Sequence, residues 1–197
     1  MATLSYYNKK SAQLIDRYDN AEMSLLNEVF LKHIPKNNRL LDIGFGSGRD
    51  LDFFNKRGHD IWGIDPTVNF VEYAKKRFPN QKSHFFRSNL PFNKDIFGET
   101  KFDAIICIAV LMHLKRKEYP EAVKSMINVS SPNSVIIISY SIGQRAEEDE
   151  RYFEEVDLNH LSELFSSNGY ILIDTVKSGD TLNRDSLTWI TVVFKHD

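Results

Sequence analysis

Short apolar runs alternate with stretches in which apolar residues recur every three or four positions, along most of the chain. The apolar runs predict strands, and the periodic stretches between them predict amphipathic helices. Strands are predicted over 39–43, 60–64, 84–87, 102–109 and 135–140, and helices over 50–56, 68–77 and 119–129. This alternation is typical of an α/β protein whose parallel sheet carries helices on both faces.

The two ends of the chain depart from this alternation. At the start, helical spacing predicts a helix over 11–34 with a break at Asp19-Asn20, which Pro35 ends. At the other end, a helix over 158–167 precedes two strands, 170–176 and 187–194, which ten turn-like residues separate. So short a connection leaves no room for a crossover helix, and the last two strands are therefore predicted to pair antiparallel.

Composition excludes several classes of protein. The 197 residues carry 25 Lys and Arg against 27 Asp and Glu, so the chain lacks the basic excess of a nucleic-acid-binding protein. A single cysteine, Cys107, excludes an internal disulfide and a Cys-rich zinc site, and the spacing of the histidines predicts no metal site. No secretory signal or membrane-spanning run is visible, so we expect one cytoplasmic domain.

A glycine-rich segment joins the first predicted strand to the first helix after it. Gly44, Gly46 and Gly48 allow a sharp turn and a close approach of the backbone to a ligand. Their Gly-x-Gly-x-Gly spacing, followed by Arg49, differs from the dinucleotide fingerprint, and the Gly-Lys-Ser/Thr of a P-loop is absent. Asp65 ends the second strand, where an acid accepts hydrogen bonds from a ribose diol. Together they predict a nucleoside cofactor without a pyrophosphate.

Residues 40–77 resemble the cofactor half of the class I S-adenosylmethionine-dependent methyltransferases. The predicted outline of five parallel strands and a closing antiparallel pair, which covers nearly the whole chain, is similar to that family's seven-stranded sheet. The resemblance implies a single Rossmann-like domain over 1–197, with a seven-stranded, mostly parallel sheet and a C-terminal antiparallel hairpin. Within it, 1–36 would form an N-terminal helical lid and 37–197 the core. The implied cofactor is S-adenosylmethionine, and the product S-adenosylhomocysteine.

The resemblance also assigns residues to the cofactor. Those around Gly44 would surround its methionine end, Asp65 would bind the ribose hydroxyls, and Asn89 would lie near the adenine amino group. Phe45 stands where the family commonly has a small residue or Cys, so we expect a narrower pocket. The full implied set is Asp42, Gly44, Phe45, Gly46, Gly48, Arg49, Asp65, Pro66, Asn89, Leu90, Cys107 and Ile108.

Few residues are candidates for chemistry, because methyl transfer from a sulfonium needs mainly alignment of the acceptor, and needs a base only when the acceptor is protonated. His113 follows the fourth strand and is either a base or orienting residue, or a packing histidine. Acids and aromatics over 142–156 suit a cationic or amine acceptor, or else form a solvated connection. The candidate acceptor-binding residues are Tyr7, Tyr18, His113, Tyr140, Arg145 and Arg184.

We therefore predict a methyltransferase for a small-molecule acceptor, with no nucleic-acid or membrane partner and a monomeric or homodimeric state. The small molecule follows by elimination: the chain has no basic excess, and residues 108–111 lack the Asn/Asp-Pro-Pro-Tyr/Phe signature of DNA amino-methyltransferases. The alternatives are a cofactor-binding protein without turnover and a protein methyltransferase. A nicotinamide oxidoreductase is disfavoured by Arg49, which stands at a glycine position of the dinucleotide fingerprint.

Overall fold

The computed structural model describes residues 2–145, 150–180 and 187–197. In this part of the chain, seven strands form one sheet in the order β3-β2-β1-β4-β5-β7-β6. The strands are β1 (Arg39–Ile43), β2 (Asp60–Asp65), β3 (Phe85–Arg87), β4 (Phe102–Ile108), β5 (Ser130–Gly143), β6 (Tyr170–Gly179) and β7 (Leu187–His196). The first five pair in parallel, and β7 lies antiparallel between β5 and β6. The predicted fold class and terminal antiparallel pair are confirmed.

Six α-helices of the described residues precede or connect these strands. They are α1 (Ala2–Asp19), α2 (Ser24–His33), α3 (Arg49–Asn55), α4 (Val68–Arg77), α5 (Tyr119–Val129) and α6 (Leu158–Ser166). A short 3-10 turn over Leu111–His113 follows β4 and carries the candidate histidine. Among the described residues, we find no helix with both the length and the apolar character needed to cross a membrane.

Apolar side chains cover both faces of the sheet because successive residues of a strand point to opposite sides. On one face, Ile105 and Ile136 pack in a cluster with Tyr119 of α5 and residues of α6. On the other face, Ile106 and Ile137 pack in a second cluster with residues of α1 to α4. The sheet is therefore covered on both sides, as its parallel centre requires.

The N-terminal helices differ from the prediction at their start. The predicted break is confirmed, since α1 ends at Asp19 and α2 begins at Ser24, but α1 begins at Ala2 and not near residue 11. The first ten residues show no apolar stripe, and two of their contacts are side-chain hydrogen bonds to distant parts of the chain. The Thr3 hydroxyl accepts a hydrogen bond from Tyr152 N, and the Tyr7 hydroxyl lies 3.0 Å from His113 Nε2. These contacts involve residues distant in sequence.

Candidate functional site

A cavity of about 770 Å³ opens at the carboxyl ends of β1, β2 and β4. These ends contribute Asp42, Asp65 and Ile108 to its wall, while α1 contributes Tyr7 and Tyr18 from the opposite side. The chain leaves β1 and β4 in opposite directions across the sheet, and such switch points are where open α/β sheets bind ligands. The volume lies in the range of small-molecule sites.

The glycine-rich segment forms the turn from β1 into α3. Gly44 has a φ of +74°, in the left-handed region, and a Cβ placed on it would overlap Val110 Cγ2. Gly44 and Gly46 line the cavity, whereas Gly48 is the N-cap of α3 and does not. Gly48 therefore serves the turn into the helix.

Phe45 lines the cavity but takes up little of it. Its side chain is 6% exposed, and a Cβ on Gly63 of β2 would lie 2.6 Å from Phe45 Cδ1. The ring also makes an edge-on contact with Phe85, at a centroid distance of 5.8 Å. Most of the ring is thus accommodated above Gly63, and the expected narrowing of the pocket is small.

Asp65 is a buried carboxylate at the end of β2, 4% exposed. Its Oδ2 accepts a hydrogen bond from Gly46 N at 3.0 Å, and its Oδ1 accepts one from Thr67 N at 2.7 Å. Burial raises the pKa of Asp65 to about 6. Each carboxylate oxygen has a second lone pair, so Asp65 can still accept hydrogen bonds from a ligand's hydroxyl groups.

Asp42 lies beside the glycine-rich segment and is 2% exposed. Its Oδ2 accepts no hydrogen bond from the described residues. Burial, and then the neighbouring charge of Asp50, raise the pKa of Asp42 well above its usual value. A buried oxygen without a donor is costly for the protein alone, and it fits a ligand that brings an N–H or a positive charge.

We expect Asp42→Asn to stabilise the ligand-free protein by about 1–3 kcal/mol, because the neutral amide removes a buried negative charge that lies beside Asp50 and has no donor at Oδ2 among the described residues. The pKa of Asp42 is raised in the folded state, so ionising this carboxyl lowers the free energy of unfolding of the wild type. The stability gained by Asp42→Asn should therefore be larger at about pH 8 than near pH 4. Thermal unfolding at both pH values measures it. A melting temperature below that of the wild type at pH 8 would contradict this assignment.

The carboxyl end of α1 is tied to the glycine-rich segment and the start of α3. The Asp19 carboxylate accepts hydrogen bonds from the Ser47 hydroxyl at 2.7 Å and from Arg77 at 2.9 Å. Arg49 donates two hydrogen bonds of 2.9 Å to the carboxylate of Asp50 and one of 3.4 Å to the Tyr18 carbonyl. These contacts hold α1 against the cavity.

The other end of the cavity centres on His113. Its Nε2 lies 3.0 Å from the Tyr7 hydroxyl and its Nδ1 lies 2.7 Å from the Tyr152 carbonyl oxygen. The imidazole also packs against the Phe153 ring, at a centroid distance of 4.7 Å. His113 is thus held by a helix and a loop that are far from it in sequence.

Two arginines stand at the same end. The Arg145 guanidinium lies 3.6 Å from the centre of the Phe153 ring and donates a hydrogen bond to the Ser141 hydroxyl. The Arg151 guanidinium lies 4.9 Å from the centres of both the Phe153 and Tyr6 rings. The described wall therefore adds positive charge where the sequence indicated acidic and aromatic residues.

Most of the residues predicted for the site line this cavity. The predicted residues in its wall are Tyr7, Tyr18, Asp42, Gly44, Phe45, Gly46, Arg49, Asp65, Pro66, Asn89, Leu90, Ile108, His113 and Arg145. Gly48, Cys107 and Tyr140 are absent from the wall, and Arg184 falls outside the described residues. Burial raises the pKa of the Cys107 thiol to about 12, as expected for an inert side chain.

Strand alternation explains why Tyr140 does not reach the cavity. Tyr140 is 2% exposed and packs with Ile136 and Ile138 on the α5–α6 face. Its neighbour Ser139 points the other way and lines the cavity, where its hydroxyl accepts a hydrogen bond of 3.0 Å from Thr191. The prediction missed Ser139, although the alternation along β5 would have indicated it.

Thr3, a second residue in the wall that the prediction missed, carried no such signal. It lies within the first ten residues, which show no helical pattern of apolar positions, and only the tertiary structure brings it to the cavity.

Comparison with known proteins agrees with this geometry. Residues 15–157 match a family model described as a methyltransferase domain. The chain belongs to this family of class I S-adenosylmethionine-dependent methyltransferases. Its cofactor is therefore S-adenosylmethionine, as the resemblance implied.

The methyltransferase has relatives of low sequence identity. It is 23% identical to an uncharacterized methyltransferase of Staphylococcus carnosus, over 95% of this chain and 97% of that one. It is 26% identical to the dTDP-3-amino-3,4,6-trideoxy-alpha-D-glucopyranose N,N-dimethyltransferase of Streptomyces venezuelae, over 60% of this chain and 48% of that protein. This second match spans about half of the relative's length.

A solved structure shares the fold. The 1,6-didemethyltoxoflavin-N1-methyltransferase of Burkholderia thailandensis, crystallised with 1,6-didemethyltoxoflavin and S-adenosylhomocysteine, superposes with a TM-score of 0.76 at 17% identity. The match covers 98% of this methyltransferase and 87% of the Burkholderia chain. The likeness extends from α1 through the terminal antiparallel strands.

Proposed function

We propose that this methyltransferase transfers the methyl group of S-adenosylmethionine to a small-molecule acceptor bound in the same cavity. The observation that carries the proposal is that one cavity has Asp42 and Asp65 in one part of its wall and Tyr7 and His113 in another. The Burkholderia neighbour, whose crystal contains both a small heterocycle and S-adenosylhomocysteine, supports one cavity that holds a cofactor and an acceptor. The amino-sugar methyltransferase of Streptomyces supports a small-molecule acceptor.

The residues at the glycine-rich end fit the cofactor chemically. Asp65 would accept hydrogen bonds from the ribose hydroxyls. The Oδ2 of Asp42, which accepts no hydrogen bond within the described part of the chain, would face the ammonium group of the methionine part. Asn89 and Leu90 would border the adenine. When bound, the cofactor supplies an activated methyl group on a sulfonium, so the protein's own task is to align the acceptor and exclude water.

The N-terminal helix would perform the exclusion of water. Tyr7 and Tyr18 of α1 form part of the cavity wall, and Asp19 ties the helix to Ser47 of the glycine-rich segment. We retain the division into a helical lid over 1–36 and a core over 37–197 as part of this proposal. The small-molecule class, the oligomeric state and the cytoplasmic location stay predictions.

We predict that S-adenosylhomocysteine binds more weakly as the pH falls through about 6. The raised pKa of Asp65 means that its carboxylate gains a proton in this range, and a protonated carboxyl is a poorer acceptor for ribose hydroxyls. Affinity should fall by up to about tenfold per pH unit below the pKa and level off above it. Calorimetric titrations between about pH 5 and pH 8 measure this dependence.

The control is Asp65→Ala, which removes the titrating carboxyl. The variant should bind S-adenosylhomocysteine weakly at every pH. Its affinity should not show the decrease near pH 6 that protonation of Asp65 causes in the wild type. A wild-type affinity that stays constant across the range would contradict the role of Asp65.

The proposed function itself is tested in two stages. Calorimetric titration with S-adenosylhomocysteine, with NAD as the control ligand, should give binding of the first and none of the second. Turnover is then followed as S-adenosylhomocysteine formation from S-adenosylmethionine and a panel of phenols, N–H heterocycles, amines and carboxylates. Product with one class supports the proposal, whereas tight binding without product from the whole panel would favour a binding protein or a protein methyltransferase.

A further inference from the structure

A chain of hydrogen bonds at the acceptor end runs from α1 through His113 to the loop after β5. The Tyr7 hydroxyl contacts His113 Nε2 at 3.0 Å, and His113 Nδ1 contacts the Tyr152 carbonyl oxygen at 2.7 Å. The Tyr152 amide in turn donates to the Thr3 hydroxyl of α1 at 2.9 Å. The same peptide segment therefore holds both the histidine and the helix that carries Tyr7.

The carbonyl determines which nitrogen of His113 carries the proton. A carbonyl oxygen only accepts hydrogen bonds, so Nδ1 must be the protonated nitrogen of the neutral ring. Nε2 then carries a lone pair in the ring plane, with which it accepts a hydrogen bond from the Tyr7 hydroxyl. Burial raises the pKa of Tyr7, which keeps the phenol protonated and able to donate. The direction of the whole chain follows, from Tyr7 to His113 to the Tyr152 carbonyl.

We infer that Tyr7 is the catalytic residue that takes the acceptor's proton, while its own proton passes to His113 Nε2. As the acceptor oxygen or nitrogen forms its bond to the methyl carbon, the bond between that carbon and sulfur breaks and leaves a neutral thioether. The acceptor's proton moves to the Tyr7 oxygen, and the Tyr7 proton moves to Nε2. The resulting imidazolium keeps Nδ1–H on the Tyr152 carbonyl and later releases a proton to water.

The surroundings of Tyr7 suit these two proton transfers, from the acceptor to Tyr7 and from Tyr7 to His113, which we call the relay. The Arg151 charge and the Tyr18 hydroxyl both favour a negatively charged Tyr7 oxygen and so oppose the effect of burial on its pKa, while Tyr6 acts in the opposite direction. His113 faces the Tyr7 phenol on one side and the Phe153 ring on another. The geometry thus supplies a proton acceptor beyond Tyr7 and a cation beside it.

The relay narrows the acceptor class and rests on the proposed function. An acceptor that uses it must carry a proton on its attacking atom, as a hydroxyl or a ring N–H does. A thioether or a halide ion loses no proton and gains nothing from Tyr7. Because Tyr7 and Thr3 both belong to α1, the relay exists only while the N-terminal helix covers the cavity.

The first test requires no acceptor. In protein labelled with ¹⁵N at histidine and saturated with S-adenosylhomocysteine, the His113 resonances, assigned by their loss in His113→Gln, should indicate a ring protonated at Nδ1. Tyr7→Phe should shift the Nε2 resonance and leave Nδ1 nearly unchanged. A ring protonated at Nε2, or an Nε2 signal indifferent to Tyr7→Phe, would overturn the relay.

The second test compares turnover of a phenol and an N–H heterocycle with methylation of iodide, a nucleophile without a proton. Tyr7→Phe and His113→Gln should each lower kcat for the proton-bearing probes by about 100-fold or more, the usual scale of general-base catalysis. The ratio of phenol turnover to iodide turnover should fall by about the same factor. An equal loss for iodide would mean that the variants disturb the cavity as a whole, and it would overturn the relay. Glutamine can still accept the Tyr7 hydrogen bond but not its proton, so a rate near that of the wild type would reduce His113 to a positioning residue and overturn the relay.

Tyr73→Phe, a change of the same kind on α4 outside the cavity wall, is the matched control and should behave as the wild type. Failure of the proposed function is distinguishable from failure of the relay. If the wild-type protein binds no S-adenosylhomocysteine or methylates no probe, the proposed function fails, while the histidine resonances still decide the direction of the hydrogen bonds.

Discussion

Asp65→Ala is expected to weaken S-adenosylhomocysteine binding by about 10- to 100-fold, because hydrogen bonds to a charged group contribute about 1.5–3 kcal/mol. The carboxylate would accept hydrogen bonds from the ribose hydroxyls, and it also orders the loop around them by accepting from Gly46 N and Thr67 N. Calorimetric titration of the variant against the wild type at about pH 8 gives the difference in affinity, since the wild-type carboxyl is then ionised.

The control for this substitution lies on the same strand. Asp60 begins β2, is more exposed, and contacts Arg39 and Trp62 away from the cavity. Asp60→Ala should therefore leave the affinity unchanged. Thermal unfolding of both variants shows whether each is folded under the conditions of the titration. A folded Asp65→Ala protein with wild-type affinity would mean that the ribose binds elsewhere.

Gly44→Ala is expected to lower both stability and cofactor affinity. The φ of +74° costs a residue with a Cβ about 1–2 kcal/mol, and the added methyl would also overlap Val110 Cγ2. We expect a loss of at least about 2 kcal/mol, which lowers the melting temperature by on the order of 4–8 °C for a domain of this size. Thermal unfolding and S-adenosylhomocysteine titration measure the two effects.

Gly98→Ala separates the cost of backbone strain from the cost of the overlap with Val110. Gly98 has a φ of +58°, and a Cβ there would meet no atom within 4 Å. Its ψ of −129° places it in a sparsely populated conformation, so its replacement should cost only the backbone strain, about 1–3 kcal/mol, without affecting the ligand. If both variants lose the same stability and Gly44→Ala retains full affinity, the close contact with Val110 has no consequence for the cofactor site.

The charge of the acceptor end depends on which residues of the loop after β5 face the cavity, and residues 146–149 of this loop lie outside the described residues. The stretch over 142–156 is rich in acids and aromatics, which suggested a cationic acceptor. In the described residues of this stretch, Arg145 and Arg151 stack on the Phe153 ring and line the cavity. Composition counts charges, but only the path of the chain decides which of them face a ligand.

The sequence by itself determined the architecture and the nucleoside class of the cofactor. Alternating apolar runs and helical periods depend on neighbouring residues, so the five parallel strands and the terminal antiparallel pair were predictable. The glycine-rich segment and Asp65 were also recognisable, because a turn into a helix and an acid at a strand end are local requirements of a nucleoside site. These features can be recognised in a single sequence without knowing which distant residues are in contact.

The tertiary structure alone decided the acceptor end. Tyr7 and His113 are 106 positions apart in the chain, and His113 and Tyr152 are 39 apart, so no local pattern links them. The same holds for Asp42, since the absence of a donor to its Oδ2 among the described residues is a property of everything packed around it. Local periodicity indicates which face of a helix or strand is buried. The partner of a side chain and the direction of its hydrogen bond depend on which elements pack together, and only the folded chain determines that.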